Sequence, residues 1–172
     1  GEAFDKVGRM LKLPYPGGPE IEKHAREGNP KSFIFPRAHL KDAPFDFSFS
    51  GLKTAVLYQL QKLDDPQAQL ADLCASFQDA VIDALVKKTI KAARQTGHTL
   101  IALSGGVACN RTLQEALTLA AQNAGMKVQP TPPALTTDNA GMIALAALLA
   151  SENRPSDSLE IGIDPNLALA TP

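Results

Sequence analysis

The chain has 172 residues, 44% hydrophobic and 20% charged, which excludes a disordered chain and is typical of a soluble globular domain with one ordinary core. A formal net charge of −1 excludes an overall basic surface, so if RNA is a partner, another surface must carry most of the phosphate contacts. Cys74 and Cys109 lack CxxC spacing, and no apolar stretch is long enough to span a bilayer, which favours a reduced, cytoplasmic protein.

Residues 1–26 predict two helices joined by a turn. Apolar residues within 1–13 recur at spacings of three and four, which is one face of a helix, and this helix must end at Pro14 because proline disfavours helix in the residue before it. In the turn at 14–19, the prolines fix φ and the glycines permit close approaches that a side chain would block. A short helix is then expected over about 20–26.

The next segment combines a predicted strand with two helices. At 45–50, phenylalanine alternates with Asp or Ser, the period of two expected of a half-buried strand. A helix is expected over 52–63. A longer helix should begin at Asp65-Pro66, with Asp as cap and Pro in the first turn, and end near Gly97, a natural C-cap. The core stripe predicted for this long helix is Leu70, Leu73, Phe77, Val81 and Leu85.

From residue 99 onward, predicted strands and helices alternate. Strands are expected at 99–103 and 127–129, and helices at 110–124 and 138–150. This β-α-β-α order predicts an α/β fold in which parallel strands are covered by helices.

A pair of glycines between a strand and a helix is the strongest local signal for a site. In open α/β sheets ligands gather beyond the carboxyl ends of strands, where glycine lets the backbone approach a phosphate and a helix N-terminus favours an anion. The alternative is that Gly105-Gly106 only makes a tight turn and Asn110 only caps the helix. Spacing alone favours the tight turn, because the segment is neither a P-loop nor GxGxxG.

Other candidate site residues have ordinary explanations when each is taken alone. Asp138, ahead of the last predicted helix, could cap that helix, act as an acid or base, or bind a metal, and capping is favoured. Asp5 fits a solvated or paired helix face, and Glu22 fits a helix surface. Gly17-Gly18 would be ordinary turn glycines.

The histidines and the basic residues indicate no separate site. The histidines lack the HxxxH or HExxH spacing that presents two imidazoles to a metal, which favours surface or capping roles. They are His24, His39 and His98. A modest basic cluster follows the polar side of the long helix and is interpreted as a solvated face. It consists of Lys87, Lys88, Lys91 and Arg94.

Five segments, spread from end to end, resemble the TsaD family and occur in the family's order. Together they are far more specific than any one alone. The segments are Gly1-Glu-Ala-Phe-Asp-Lys-Val, Pro16-Gly-Gly-Pro-Glu, Phe47-Ser-Phe-Ser-Gly-Leu-Lys-Thr, Ser104-Gly-Gly-Val-Ala-Cys-Asn-Arg and Thr137-Asp-Asn-Ala-Gly-Met-Ile-Ala. Cys109 and Gly141, where the family more often has Ala, are small departures.

The resemblance implies an actin-like ATPase fold of the ASKHA type, with this chain forming most of the second lobe. On that basis, 1–64 would be a helical insertion and entry segment, 65–152 the α/β core and 153–172 a C-terminal tail. Because the opening residues already have the pattern of a helix interior and no Met precedes them, we expect the chain to be a fragment.

The resemblance also implies an activity, partners and site residues. In the family, a threonylcarbamoyl group passes from threonylcarbamoyl-AMP to the exocyclic amine of the adenosine 3′ of the anticodon, in tRNAs that read codons starting with A. By position, Asp5, Gly18, Glu22 and Asn110 would hold the nucleotide part of the adenylate, the carboxylates by accepting hydrogen bonds from ribose or adenine. The partners implied are tRNA, a TsaB-like subunit and a TsaE-like ATPase.

Asp138 would then be a ligand to one divalent metal ion, iron in the first instance and zinc as the alternative. The matching Thr-Asp-Asn context favours this role over capping, and the ion would polarise the carbamoyl carbonyl. The family's other two protein ligands are a His pair in the first lobe, which this chain lacks. We therefore expect the chain alone to bind metal weakly and to be inactive.

Three other functions fit the sequence less well. A non-catalytic TsaB-like partner subunit would lack the metal aspartate, so Asp138 argues against it. A metalloprotease would need a paired-His zinc helix with a general-base Glu. An ASKHA sugar or acetate kinase would share the Gly-Gly turn but has no reason to carry the first and third of the five segments.

Overall fold

The computed structural model describes residues 1–37 and 44–151, together with Gly162. In chain order the elements are α1 (Glu2–Met10), α2 (Gly17–Ala25), α3 (Ser50–Gln61), α4 (Leu70–Thr96), β1 (Leu100–Leu103), α5 (Arg111–Asn123), β2 (Lys127–Pro130), α6 (Pro133–Thr136) and α7 (Ala140–Ser151). A 3₁₀-helix, Gly106–Cys109, joins β1 to α5. The chain divides into two compact units, 1–137 and 138–172.

The first hydrophobic core lies among α1, α2, α3 and the N-terminal half of α4. Phe4 and Val7 of α1, Ile21 of α2 and Val56 of α3 are buried in one cluster with Phe77 of α4. The Phe4 and Phe77 rings meet edge to face, with centroids 5.2 Å apart. Burial of each such side chain contributes about 1.5–3 kcal/mol. The helical face predicted for 1–13 is therefore confirmed.

Helix α2 begins at Gly17, earlier than the predicted start near residue 20. Gly17-Gly18 therefore belong to the first helical turn and not to a preceding loop. A Cβ atom at Gly17 would lie 2.6 Å from the Phe4 carbonyl oxygen, so glycine lets α2 start directly against α1. Asp5 of α1 accepts a hydrogen bond from the Gly17 amide at 2.9 Å, which supplies the cap that the side chain of Pro16 does not provide.

Helix α4 begins at Leu70, later than predicted, because Asp65 caps a separate turn. The Asp65 Oδ1 atom accepts hydrogen bonds from the amides of Gln67 and Ala68, 3.0 and 3.2 Å away. Asp and Pro thus form a local turn of their own ahead of the helix. The prediction that Asp65 acts as a cap is confirmed, and the prediction that α4 starts at Asp65-Pro66 is wrong.

The far end and the buried stripe of α4 agree with prediction. The helix ends at Gly97, whose φ of 72° is the left-handed conformation expected of a glycine C-cap. Leu73, Phe77 and Val81 are buried, and the other two residues of the stripe are partly buried against the same core. Because α4 is 27 residues long, its C-terminal half continues into a second core.

No strand forms at 45–50, so that prediction is wrong. The period of two does place Phe47 and Phe49 side by side, and their rings stack with centroids 6.3 Å apart. A strand also needs backbone pairing, and the Asp46 carbonyl instead accepts a hydrogen bond from the Lys88 ammonium. The interpretation of a solvated face is therefore wrong for Lys88, which holds this segment against α4.

Strands β1 and β2 pair in parallel, with Ile101 opposite Val128. The second core lies among this sheet, α5 and the C-terminal half of α4, and includes Ile90, Leu117 and Ala121. The predicted parallel strands covered by helices are confirmed. The one-turn helix α6, which starts with proline at its first position, was not predicted.

The second unit is described over 138–151 and at Gly162. Helix α7 starts two residues after the predicted position, because the Met142 amide donates to Asn139 Oδ1 at 3.0 Å. The residue that caps α7 is therefore Asn139, and the capping role first favoured for Asp138 is corrected. Within the described parts of the chain, no helix is both long and apolar enough to cross a membrane.

Two of the three histidines lie in described regions. His24 is partly exposed on α2, and His98 is exposed, with its Nδ1 atom 2.9 Å from Thr96 Oγ1. Both therefore have the surface positions predicted for them. His39 lies outside the described residues.

Candidate functional site

A cavity of about 480 Å³ opens between the α1–α2 corner and the turn that follows β1. Its volume is within the range of small-molecule sites. Asp5, Gly18, Glu22 and Asn110, the four candidate binding residues, all line it. The fold thus brings together side chains that are far apart in the sequence.

Asp5 lies at the corner where α1 meets α2. One carboxylate oxygen accepts the Gly17 amide at 2.9 Å, as described above, and the side chain is partly exposed toward the cavity. A negative charge at a helix N-terminus is stabilised by the helix dipole. The expected solvated or paired helix face belongs instead to Glu2, which pairs with Lys6 at 2.6 Å.

Glu22 makes the equivalent contact at the next helix. Its Oε1 atom accepts a hydrogen bond from the Arg111 amide, the first amide of α5, at 2.9 Å. The Glu22 carboxylate thus connects α2 to the start of α5. It also provides the anion that the sequence predicted at this helix N-terminus, so an intramolecular carboxylate already occupies that amide.

Asn110 is the N-cap of α5 and is 7% exposed. Its Oδ1 atom accepts the Leu113 amide at 2.9 Å, which is the capping bond predicted. Its Nδ2 atom donates to Gln78 Oε1 at 2.7 Å, and Gln78 Nε2 donates to Thr112 Oγ1 at 3.4 Å. Buried Gln78 therefore fixes the orientation of the Asn110 amide. Sequence reasoning missed Gln78 because no local pattern connects it to a residue 32 positions away.

The two glycine pairs contribute to the cavity in different ways. Gly105, with a φ of 90°, makes the tight turn after β1, and Gly106 lines the cavity. A Cβ atom at Gly18 would meet only the Phe4 Cβ atom, at an ordinary 3.9 Å. Packing within the protein therefore does not require glycine at position 18, whereas close approach of a ligand would.

The walls also include residues that sequence reasoning did not single out. Phe4, Tyr15 and Val107 provide aromatic and aliphatic surface, and Thr137 adds a hydroxyl. Tyr15 is 85% exposed, so its ring is open to a ligand or to solvent. An apolar cavity with a few converging polar groups is the usual composition of a small-molecule site.

A family model described as TsaD, tRNA N6-adenosine threonylcarbamoyltransferase, matches residues 1–145 of the chain. The chain belongs to the TsaD family. The resemblance drawn from the five sequence segments is thereby confirmed.

Curated relatives in the TsaD family carry the name tRNA N6-adenosine threonylcarbamoyltransferase. Those of Symbiobacterium thermophilum and Moorella thermoacetica are each 48% identical to this chain, over 98% of its length and 50% of theirs. That of Anaeromyxobacter dehalogenans strain 2CP-1 is 50% identical, over 91% of this chain and 48% of its own. The chain therefore spans about half the length of the curated relatives it matches.

Among solved structures, HypF of T. kodakarensis resembles the TsaD-family chain with a TM-score of 0.63. The match covers 87% of this chain and 20% of HypF, at 21% sequence identity. At this identity the likeness shows a shared fold and nothing about activity. The predicted α/β fold with parallel strands is confirmed.

Asp138 of the TsaD-family chain is exposed and is the first residue of the second unit. In the regions that the structure describes, no group of three or more His, Cys, Asp or Glu side chains could hold a metal ion. These residues do not fit a complete metal site, and Asp138 could supply only one ligand of such a site.

The two free cysteines differ in exposure. Cys74 is buried in the first core, where burial raises the pKa of its thiol to about 12. Cys109 is exposed and lines the cavity. A ligand in the cavity would therefore lie beside an accessible thiol.

Proposed function

We propose that this chain is the C-terminal part of a tRNA N6-adenosine threonylcarbamoyltransferase and forms most of the second lobe of an ASKHA-type fold. The observation that carries the proposal is the convergence of Asp5, Gly18, Glu22 and Asn110 on one cavity in a member of this family. The cavity would hold the adenosine part of threonylcarbamoyl-AMP. The whole enzyme would act in the cytoplasm with a TsaB-like subunit and a TsaE-like ATPase.

The hydrogen bonds within the protein define how the cavity would hold the nucleotide. Asp5 and Glu22 each use one carboxylate oxygen on a helix amide, which leaves the second oxygen of each to accept from a ribose hydroxyl or the adenine amine. Each carboxylate is held by a backbone group, so its position is set before the ligand arrives. Gly18 would let the nucleotide lie close to the α2 backbone.

The proposed reaction is an acyl transfer. The exocyclic amine of the tRNA adenosine forms a bond to the carbamoyl carbon, the bond from that carbon to the phosphate oxygen of AMP breaks, and the amine loses a proton. Binding AMP through its ribose and base would orient the donor for this attack. The chain's residues thus contribute binding and orientation of the leaving group.

Asp138 is proposed as one ligand of a divalent metal ion, iron first and zinc second. The other ligands would have to come from outside the described residues, since these form no complete metal site. When bound, such an ion would supply electrophilic polarisation of a carbonyl oxygen. Without those other ligands, we expect this chain alone to bind metal weakly and to transfer no threonylcarbamoyl group.

The test is transfer of labelled threonylcarbamoyl to tRNA by the full-length enzyme with its partners, comparing wild type with Asp138→Ala. We expect transfer to fall by about 100-fold or more, together with loss of bound metal, because ligand loss should cost at least as much as loss of a supporting residue. Undiminished transfer would remove Asp138 from the mechanism.

The matched control is Asn139→Ala in the same enzyme. This substitution removes the side chain that caps α7 and should cost about 1 kcal/mol in stability, but it keeps the neighbouring carboxylate. We expect it to retain transfer and metal. Equal losses in the two variants would assign the effect to the start of α7 and not to a metal ligand.

A further inference from the structure

One face of α4 carries three exposed cations at helical spacing. Lys87, Lys91 and Arg94 are separated by four and three residues, so they project in one direction from successive turns, which repeat about every 5.4 Å. Lys87 pairs with Asp83 at 2.8 Å, yet its side chain remains 74% exposed. These cations are thus available to a partner in solution.

Two phenylalanines lie beside these cations. Phe45 is 38% exposed with the Lys91 Nζ atom 6.0 Å from its ring centroid, and Phe47 is 47% exposed with the Lys88 Nζ atom 5.6 Å from its centroid. Segment 45–49 therefore holds both rings at the surface. We call Lys87, Lys91, Arg94, Phe45 and Phe47 the basic aromatic face.

The local charge here differs in sign from that of the whole chain. Among the residues that the structure describes, five cations on and around the face accompany three carboxylates, a local balance of +2, whereas the whole chain has a net charge of −1. The cations are Arg37, Lys87, Lys88, Lys91 and Arg94, and the carboxylates are Asp46, Asp79 and Asp83. The face would therefore attract a polyanion even though the chain as a whole would not.

We propose that the basic aromatic face binds a loop region of the tRNA substrate. Recognition of unpaired RNA combines cations on phosphates with aromatic rings against bases, and both elements are present here. An acidic protein would need only the cations, so the exposed rings favour RNA. The proposal rests on the proposed function, and it assigns tRNA a surface that shares no residue with the nucleotide cavity.

Lys88 has a structural role that must be kept out of the test. Its ammonium donates to the Asp46 carbonyl, so its loss would release the segment that carries both rings. The variants therefore leave Lys88 unchanged. In the first variant, three exposed cations are neutralised together: Lys87→Gln, Lys91→Gln and Arg94→Gln.

The experiment is binding of a fluorescent tRNA that reads a codon starting with A to the full-length enzyme, followed by anisotropy at several salt concentrations. We expect the triple variant to bind at least about 10-fold more weakly at moderate salt. The slope of log affinity against log salt should fall by about 2, since each lost phosphate contact to single-stranded nucleic acid removes about 0.7. Binding of AMP should be unchanged, which shows that the fold and the cavity are intact.

The matched control removes the same charge from a different surface. The control variant carries Lys23→Gln, Arg26→Gln and Lys31→Gln, all at exposed positions in or after α2. We expect less than about a 2-fold change in tRNA affinity, since these cations lie outside the proposed contact. If both triple variants bound tRNA equally weakly, the effect would come from the overall charge of the protein and the assignment of the face would be overturned.

A second variant tests the rings. Phe45→Leu with Phe47→Leu should weaken tRNA binding by about 5-fold or more while leaving the salt slope unchanged, because stacking involves no counterion release. Wild-type tRNA affinity in both the ring and cation variants would overturn the proposal. The proposal would also be overturned if these variants lost binding to the TsaB-like subunit but still bound tRNA, because the face would then be a contact for a protein partner. If wild type bound no tRNA, the proposed function would fail together with this inference.

Discussion

In the proposed site, Asp5 and Glu22 would each use the two oxygens of one carboxylate for different roles. One oxygen accepts a backbone amide at the start of a helix, and the second can accept from a ligand. A polar group that is fixed by the fold loses less entropy on binding than a free side chain. The same contacts that join α1 to α2 and α2 to α5 therefore set the spacing of the two candidate ligand groups.

Gln78 orients Asn110 but does not line the cavity, so its substitution tests whether orienting Asn110 affects ligand binding. In the full-length enzyme, Gln78→Leu would leave the buried Asn110 Nδ2 group without its partner, at a cost of about 1–3 kcal/mol. We expect a lower free energy of unfolding in urea and weaker AMP binding, although Gln78 does not line the cavity. The matched control is Thr112→Val, which removes only the long bond at 3.4 Å. Equal AMP affinity in wild type and Gln78→Leu would contradict a positioning role.

At the residue scale, local chemistry could be predicted and long-range chemistry could not. The cap formed by Asn110 follows from its place before a helix, so the sequence was sufficient. The bonds from Gln78 to Asn110 and from Glu22 to the Arg111 amide join residues with no shared pattern. Such pairs become neighbours only when the helices pack.

At the scale of elements, close helix contacts make some glycines irreplaceable. A Cβ atom at Gly28 would overlap the Ala71 carbonyl, next to the start of α4, so Gly28→Ala should destabilise the chain by about 2 kcal/mol. Gly51 on α3 has nothing within 4 Å of its hypothetical Cβ, and Gly51→Ala should be neutral or stabilise by up to about 1 kcal/mol. Thermal unfolding of the two variants measures both effects. Similar melting temperatures would contradict the packing described for Gly28.

Helices were predictable from periodicity, whereas the start of α2 and the segment 45–49 were not. The start of α2 depends on Asp5, which lies on another helix and accepts the Gly17 amide. Segment 45–49 has the alternation of a strand, but α4 is its neighbour. Alternation of apolar and polar residues indicates which side chains lie on the same face of an extended segment, but not whether a partner strand is present.

At the scale of the whole molecule, the residues that line the cavity all belong to the first unit. We therefore expect AMP to raise the melting temperature of this 172-residue chain, because a ligand that binds only the folded state stabilises it by about 2.7 kcal/mol at 100 times its Kd. The measurement is a thermal melt across an AMP titration. A melting temperature independent of AMP would mean that the cavity does not bind the nucleotide in this chain.

The matched variant for this titration is Asp5→Asn. The carboxamide oxygen can still accept the Gly17 amide, so the melting temperature without AMP should stay close to that of wild type. An amide NH2 group replaces the second oxygen, and it cannot accept a hydrogen bond from a ribose hydroxyl. The rise in melting temperature produced by AMP should therefore be smaller. An undiminished shift would exclude Asp5 from nucleotide binding.

The overall architecture was predictable because strands and helices alternate after residue 99, and the family was recognisable because five short segments keep their order. The volume and the walls of the cavity were not predictable, because Tyr15 and Thr137 line it only as a result of packing within the first unit. Sequence thus specified the components, and tertiary contacts specified their geometry.

The central place of α4 in both cores has a consequence for how the chain is made. Synthesis proceeds from the N-terminus, so α1 and α2 emerge before the α4 side chains that bury Phe4 and Ile21 exist. At about 5–20 residues per second, Thr137 follows Asp5 by on the order of ten seconds. Until α4 follows, the apolar faces of α1 and α2 lack the surface against which they pack in the folded chain. The cavity is then among the last features of the first unit to be completed.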